Sequence, residues 1–280
     1  MPDVHGHCEQ GEERPGEGLP TSGLHDGVSE SLYHGDRSSL SSTGAKTIVS
    51  AGARAFKHQQ DHPVHKDVFD LGSVVHALIL GVGEYRVLEH DSWRTKAAQA
   101  ERDEVRAAGA SPILRKDFDA AQDMADAVMS NKLAAGILSE GRPEVSAWAE
   151  DPETGVVMRG RIDWLRDNAI VDVKTSAKPV DPMQWERTAW DLRYGLQAYW
   201  YSRVLELNGE PERPFLWVAL SKEAPHEVYV HQASAELLDR GREDAEQALR
   251  IYADAQLTGR WPGLADDQQI HQTGLPRWAR

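Results

Sequence analysis

The period of the hydrophobic positions along this chain first changes near residue 141. Before it the spacing is helical. Ser41 or Ser42 can cap a first helix whose apolar side holds Ala45, Ile48, Val49 and Phe56. Residues 68–80 predict a second helix on Leu71, Val74, Val75, Leu78 and Ile79, with His76 inside the apolar run. Residues 91–110, charged and Ala-rich, predict a helix or a mobile arm holding Trp93-Arg94-Thr95-Lys96. Residues 115–137 predict another helix, on Phe118, Met124, Val128 and Leu133. Beyond 141 the period drops to two. Strands are predicted over 144–149, 156–165 and 169–175, the first two joined by the turn Asp151-Pro152-Glu153-Thr154-Gly155. After Pro179 and Pro182 comes a helical region to about Leu207, with a break near Gly195. Strands over 215–220 and 227–231 follow, then a long amphipathic helix over 233–257, ended by Trp261-Pro262-Gly263. Helices first, then β-β-β-α-β and a last helix: the fold class is mixed α/β, a central mixed sheet flanked by helices.

The segment from Gly160 to Thr175 carries the chemistry. Asp167-Asn168 suits a two-residue hairpin turn, since both residues tolerate positive φ. Folding about it pairs Arg166 with Ala169, Leu165 with Ile170, Trp164 with Val171 and Asp163 with Asp172, and directly opposed side chains lie roughly 5 Å apart. Alternation then gives Ile162, Trp164, Val171 and Val173 one apolar face, and Arg161, Asp163, Asp172 and Lys174 the other. Two carboxylates placed opposite each other need neutralising, and a divalent cation does that best. A solvated cross-strand ion cluster is the plainer alternative.

Composition narrows the setting. The 280 residues suffice for one large or two small domains, and no internal repeat is visible. A formal net charge of −14 is wrong for a basic nucleic-acid coat, so any DNA contact must be confined to a patch. The single cysteine, Cys8, excludes a disulfide framework or a four-cysteine metal site within one chain. No apolar run reaches membrane-spanning length, and no basic start leads into an apolar block, so a cytoplasmic protein without a membrane partner is expected. Residues 1–37, rich in Gly, Glu, Pro, Ser and His, read as a flexible tail. His5, His7 and Cys8 within it suggest metal binding but are better explained by that tail. Residues 38–280 then form one domain, mainly helical over 38–140 and with its core over 141–265.

Phosphodiester hydrolysis needs an activated water, charge stabilisation on the phosphate and help for the leaving oxygen, and carboxylate-held Mg²⁺ can provide all three. Mg²⁺ keeps several waters, so two or three acids suffice. Asp163 and Asp172 meet that need, with the Val173 carbonyl as a further ligand and Glu144 approaching from the neighbouring strand. Lys174 would orient or deprotonate the water, or neutralise transition-state charge. Alone, Glu144 reads as a solvated strand residue, His76 as a core histidine, and Gln197 and Tyr201 as helix-surface residues.

In order, His76, Glu144, Gly160-Arg161-Ile162-Asp163, Asp172-Val173-Lys174-Thr175 and Gln197-Ala198-Tyr199-Trp200-Tyr201 resemble the motif series of the PD-(D/E)XK nuclease superfamily, in its RecB-like and RecE-like exonuclease branch. The stretches from Ser39 to Lys46, Gly72 to His76 and Trp93 to Lys96 also resemble phage and prophage RecE-type (exodeoxyribonuclease VIII-like) proteins, so the likeness spans about 38–263. It implies a restriction-endonuclease-like core with His76, Glu144, Asp163, Asp172 and Val173 around Mg²⁺, for which Mn²⁺ could substitute. Asp163, Asp172, Lys174, Gln197 and Tyr201 would then be catalytic. It further implies 5′-to-3′ degradation of one strand of linear duplex DNA, leaving 3′ overhangs for recombination, by a ring-shaped homo-oligomer working with a single-strand annealing protein. Arg161, Arg94, Lys96 and Lys178 are candidate phosphate contacts, and Trp93 a wedge at a frayed end. A structure-specific or site-specific endonuclease on the same core is the alternative; a non-catalytic DNA-end-binding protein ranks behind it.

Overall fold

A mixed sheet with a hydrophobic core on each face forms the body of the protein. The computed structural model describes residues 19–63, 67–266, 269–272 and 274. In chain order these form β1 (Gly23–His25), α1 (Glu30–Gly35), β2 (Leu40–Ser41), α2 (Ser42–Ala51), α3 (Ala53–Asp61) and α4 (Asp67–Leu80). Next come β3 (Tyr85–Leu88), α5 (Lys96–Ala107), β4 (Ser111–Leu114), α6 (Arg115–Ser130) and α7 (Lys132–Leu138). The antiparallel run β5 (Arg142–Glu150), β6 (Val157–Arg166) and β7 (Ala169–Ser176) leads through α8 (Pro182–Asp191) and α9 (Tyr194–Leu207) to β8 (Phe215–Ser221), β9 (Val228–Gln232) and α10 (Ala235–Thr258).

The strand order is β1-β5-β6-β7-β8-β9, with β8 parallel to β7 as the α8–α9 crossover requires. One core, with Ile48, Ile162, Ile170, Trp185, Trp200, Trp217 and Leu249, lies under α2, α8, α9 and α10. The other, with Val74, Val75, Met124, Val128, Val171, Val173 and Val218, lies under α4, α6 and α7. Caps fix the helix starts: Ser41, Thr95, Asn131, Asp181 and Ser234 each accept from a backbone N–H in the first turn. The predicted helix over 115–137 is divided at Asn131, and the break expected near Gly195 falls at Arg193, in the left-handed region at φ 50°. At the crossing of α9 and α10, a Cβ on Gly241 would lie 2.1 Å from the Gly195 carbonyl oxygen, so only glycine permits that approach.

Three features depart from the sequence reading. Residues 19–37 are not a tail: β1 pairs with β5 through Gly23–Trp148, Leu24–Ala147 and His25–Ser146, and Tyr33 and Asp36 are buried. His5, His7 and Cys8 lie outside the described residues. A two-stranded parallel sheet, β3 with β4, frames α5 where only a helix or arm was expected. The third concerns the catalytic hairpin. Its ladder holds Arg166–Ala169, Leu165–Ile170 and Trp164–Val171 and stops there, without a rung between Asp163 and Asp172. Ile162 also leaves its predicted companions, joining Leu165 and Ile170 in the first core while Trp164, Val171 and Val173 face the second. Alternation slips at Asp163. Across from it on β5, Glu144 adopts φ 47° between the rungs Pro143–Trp164 and Val145–Ile162, so both strands are deformed at one level.

On the edge of β6 that faces β7, β2 resumes pairing at Met158 and Arg159. Residues 160–163 therefore lie between two ladders on that edge, in a local opening of the sheet.

Candidate active site

Side chains from α4, β5, β6, β7 and α9 come together around that opening. β7 supplies Asp172 and Lys174, whose alternation is intact, so both face the α9 side with Ile170. Asp172 is 1% exposed. Its Oδ1 accepts from Gln197 Nε2 at 2.9 Å, and its Oδ2 lies 2.6 Å from Lys174 Nζ. That short contact is a charge-assisted pairing, so both carboxylate oxygens of the buried Asp172 have a partner. Burial pushes Asp172 up to about 6; the nearby Lys174 charge opposes this and Asp163 adds to it. For Lys174 burial works against the charge, but Asp172 and Asp163 outweigh it and hold the ammonium protonated, above its ordinary range.

Asp163 turns its carboxylate to β7: Oδ2 accepts from the Val173 N–H at 2.8 Å and lies 3.8 Å from Nδ1 of His76 on α4. N–H and C=O of one strand residue share an edge, so the Val173 carbonyl projects from β7 on the same side. Glu144 Oε2 lies 3.6 Å from Arg161 Nη1. Burial raises its pKa; Arg161 opposes the shift and Asp163 supports it. Gln197 on α9 also donates to the Tyr201 hydroxyl at 3.3 Å, one helical turn on. Tyr201 packs over Gly160, and its pKa is driven well up by burial.

As placed, no three His, Cys, Asp or Glu side chains among the described residues are close enough to hold one ion. His76, Glu144, Asp163 and Asp172 are thus brought to one region without forming a ready-made four-ligand cage: Glu144 turns to Arg161, and Asp172 to Lys174. The donor set still fits Mg²⁺, a hard cation that binds through one or two carboxylates and retains its waters. Asp163 and Asp172 are the two carboxylates best suited to it, Asp172 through the Oδ2 that faces Lys174.

The expected DNA contacts separate. Arg161 is committed internally: Nε donates to Ser146 Oγ at 3.0 Å, Nη2 to the Val28 carbonyl at 2.7 Å, and the guanidinium lies 4.4 Å from the Tyr33 ring. It braces the N-terminal segment. Arg94 and Lys96 are exposed at the start of α5, and Lys178 lies 3.5 Å from Asp191 on the surface. Trp93 is half-buried, with the Arg102 guanidinium 5.9 Å from its ring, which favours packing over a free wedge.

Sequence reasoning missed two residues at the site. Lys46 on α2 donates to Gln197 Oε1 at 3.3 Å, and Tyr194 has both Lys46 Nζ and Lys174 Nζ over its ring, at 5.7 and 5.6 Å. Lys46 had two signals, its place one turn into a capped helix and its place at the end of the Ser39–Lys46 stretch of the resemblance, and neither gave it a role.

An Asp-x-Lys strand beside a second aspartate, in a mixed sheet covered by helices on both faces, defines a PD-(D/E)XK-like fold. The family model for the PDDEXK-like domain of unknown function (DUF3799) matches residues 41–272, and the chain belongs to that family. Among solved structures, a candidate exonuclease from Eubacterium rectale superposes with a TM-score of 0.63 at 14% identity, over 89% of this chain and 96% of that one. This likeness shows the shared fold. A phage related exonuclease from Haemophilus somnus 129PT, 11% identical over 79% of this chain and 96% of its own, gives a TM-score of 0.35. No curated protein matches the chain. No helix among the described residues is long and apolar enough to cross a membrane.

Proposed function

We propose that this protein is a Mg²⁺-dependent exodeoxyribonuclease that hydrolyses one strand of linear duplex DNA from the 5′ end. The observation that carries the reading is the buried Asp172, held between Lys174 and Gln197 in the opening where Asp163 crosses to β7. Family membership and the fold shared with the E. rectale protein support a nuclease. Release of 3′ overhangs for recombination, a ring-shaped homo-oligomer and an annealing partner belong to the same proposal, and native mass spectrometry tests the ring.

A divalent cation bound by Asp163 and Asp172 would supply Lewis-acid charge and make its water a nucleophile at neutral pH. Gln197 fixes the Asp172 carboxylate through Oδ1, so that Oδ2, shared with Lys174, is the oxygen that would ligate. Lys174, held protonated by two carboxylates, is suited to stabilising charge on the phosphate and unsuited to accepting a proton. Tyr201, with its hydroxyl on Gln197 and its ring on Gly160, positions the glutamine.

The test is digestion of end-labelled linear duplex with Mg²⁺. Wild type should release nucleotides from the 5′ end, and Asp172→Ala should not. Equal activity in the variant, or none in either with Mg²⁺ or Mn²⁺, would overturn the assignment. Cleavage of supercoiled circular DNA would favour the endonuclease alternative.

A further inference from the structure

We infer that Lys46 is a second phosphate-binding lysine of the active site, donating to a non-bridging oxygen of the scissile phosphate beside Lys174. The inference deepens the nuclease reading and rests on it.

Lys46 lies on α2, at the end of the Ser39–Lys46 stretch that carried part of the resemblance but no site role. Its ammonium reaches the centre through Gln197, which takes Lys46 on Oε1 and gives Nε2 to Asp172. It also shares the Tyr194 ring with Lys174, each Nζ lying within 6 Å of the centroid. Tyr194 is itself nearly buried, with Trp185 and Trp217 against it, so the ring is a fixed floor under both cations.

Its surroundings distinguish this lysine from a structural one. Lys174 has Asp172 at 2.6 Å, whereas no carboxylate lies within ion-pair distance of Lys46 among the described residues. A half-buried ammonium next to a second cation, satisfied by one long bond to an amide oxygen, is costly for the fold. An apolar side chain would serve packing better. Burial, and then the Lys174 charge, draw its pKa down to about 8, with Asp172 opposing, so it is still largely a cation at neutral pH. Two ammonium groups converging over one ring match the paired oxygens of a phosphodiester, which carries the negative charge that removes their repulsion.

The experiment compares wild type, Lys46→Met and Lys46→Arg on duplex with Mg²⁺, with either a natural or a methylphosphonate linkage at the position cleaved first. Lys46→Met should lower kcat/KM about 100-fold on natural DNA, as expected for loss of one donor to a developing oxyanion, with an unchanged circular-dichroism spectrum and a thermal midpoint equal to or above that of wild type. Lys46→Arg should recover part of the rate. Replacing the charged oxygen with methyl should slow wild type severely and Lys46→Met far less, since the variant has already lost that contact. Full activity in Lys46→Met, or the same methylphosphonate penalty in both proteins, overturns the assignment while the nuclease reading stands. An inactive wild type defeats both.

Discussion

The carboxylate of Asp163 accepts the backbone N–H of Val173 at 2.8 Å, so a side chain takes the place of a ladder rung where β6 and β7 part. Substituting Asp163 should therefore separate charge from architecture. Asparagine keeps an oxygen for the Val173 N–H and should leave stability within about 1 kcal/mol of wild type while abolishing Mg²⁺-dependent cleavage. Alanine leaves that N–H unpaired and should cost about 1–3 kcal/mol as well. Urea denaturation and end-labelled digestion of both variants read the two effects; active Asp163→Asn would remove Asp163 from the metal site.

Asp172 predicts a pH dependence with a definite sign. Burial, opposed by Lys174 and reinforced by Asp163, lifts its folded pKa to about 6, whereas an unfolded aspartate titrates near 4. The folded state thus binds the proton more tightly, and this group's contribution to stability is full below pH 4 and lost as pH rises through about 6. Metal-free protein should lose stability over that window. Cleavage at limiting Mg²⁺ should rise across it, since the ionised form is the ligand, and saturating Mg²⁺ should move the midpoint to lower pH. Initial rates at two Mg²⁺ concentrations between pH 5 and 8 test this, and a midpoint indifferent to Mg²⁺ contradicts it.

Gly160 belongs to the site by what it lacks. A Cβ there would lie 2.9 Å from Cδ1 and 3.1 Å from Cε1 of Tyr201, a fixed ring that is 7% exposed. Gly160→Ala should cost about 1–3 kcal/mol by overpacking and displace Tyr201 from Gln197. Adding Tyr201→Leu should restore much of the stability but not the activity. A fully active and fully stable Gly160→Ala would show that the ring moves freely.

The limits of the sequence follow from the same residues. Alternation and turn chemistry predict three hairpin rungs because Trp164, Leu165, Arg166 and their partners obey period two. The fourth rung fails because Asp163 spends its carboxylate on a backbone donor and Glu144 adopts positive φ, neither of which a hydrophobic pattern encodes. Asp172, Lys174 and Gln197 were legible as an ordered series and do meet. Lys46 was not, since one lysine in a capped helix resembles any solvated residue until tertiary contact gives it a neighbour. β1 is three residues long, below what periodicity can detect, and depends on partners more than 100 residues away.

That last dependence is testable at Asp36, which lies in the segment the sequence suggested was a tail. It is 2% exposed and accepts from Ser38 N–H at 2.8 Å, from the Ser39 hydroxyl and from Trp148 Nε1 at 3.0 Å, with Arg159 Nη1 3.7 Å away. Burial alone would raise its pKa, but these donors prevail and hold it at about 2. Its stabilisation is therefore present above pH 4 and lost as pH falls towards 2. Asp36→Ala should cost about 3–5 kcal/mol near neutral pH, because Trp148 and Arg159 are left facing an apolar methyl. The variant should also lose less of its remaining stability than wild type between pH 4 and 2. Chemical denaturation across that range measures both. A neutral Asp36→Ala would show that its buried carboxylate does not hold this segment to the domain.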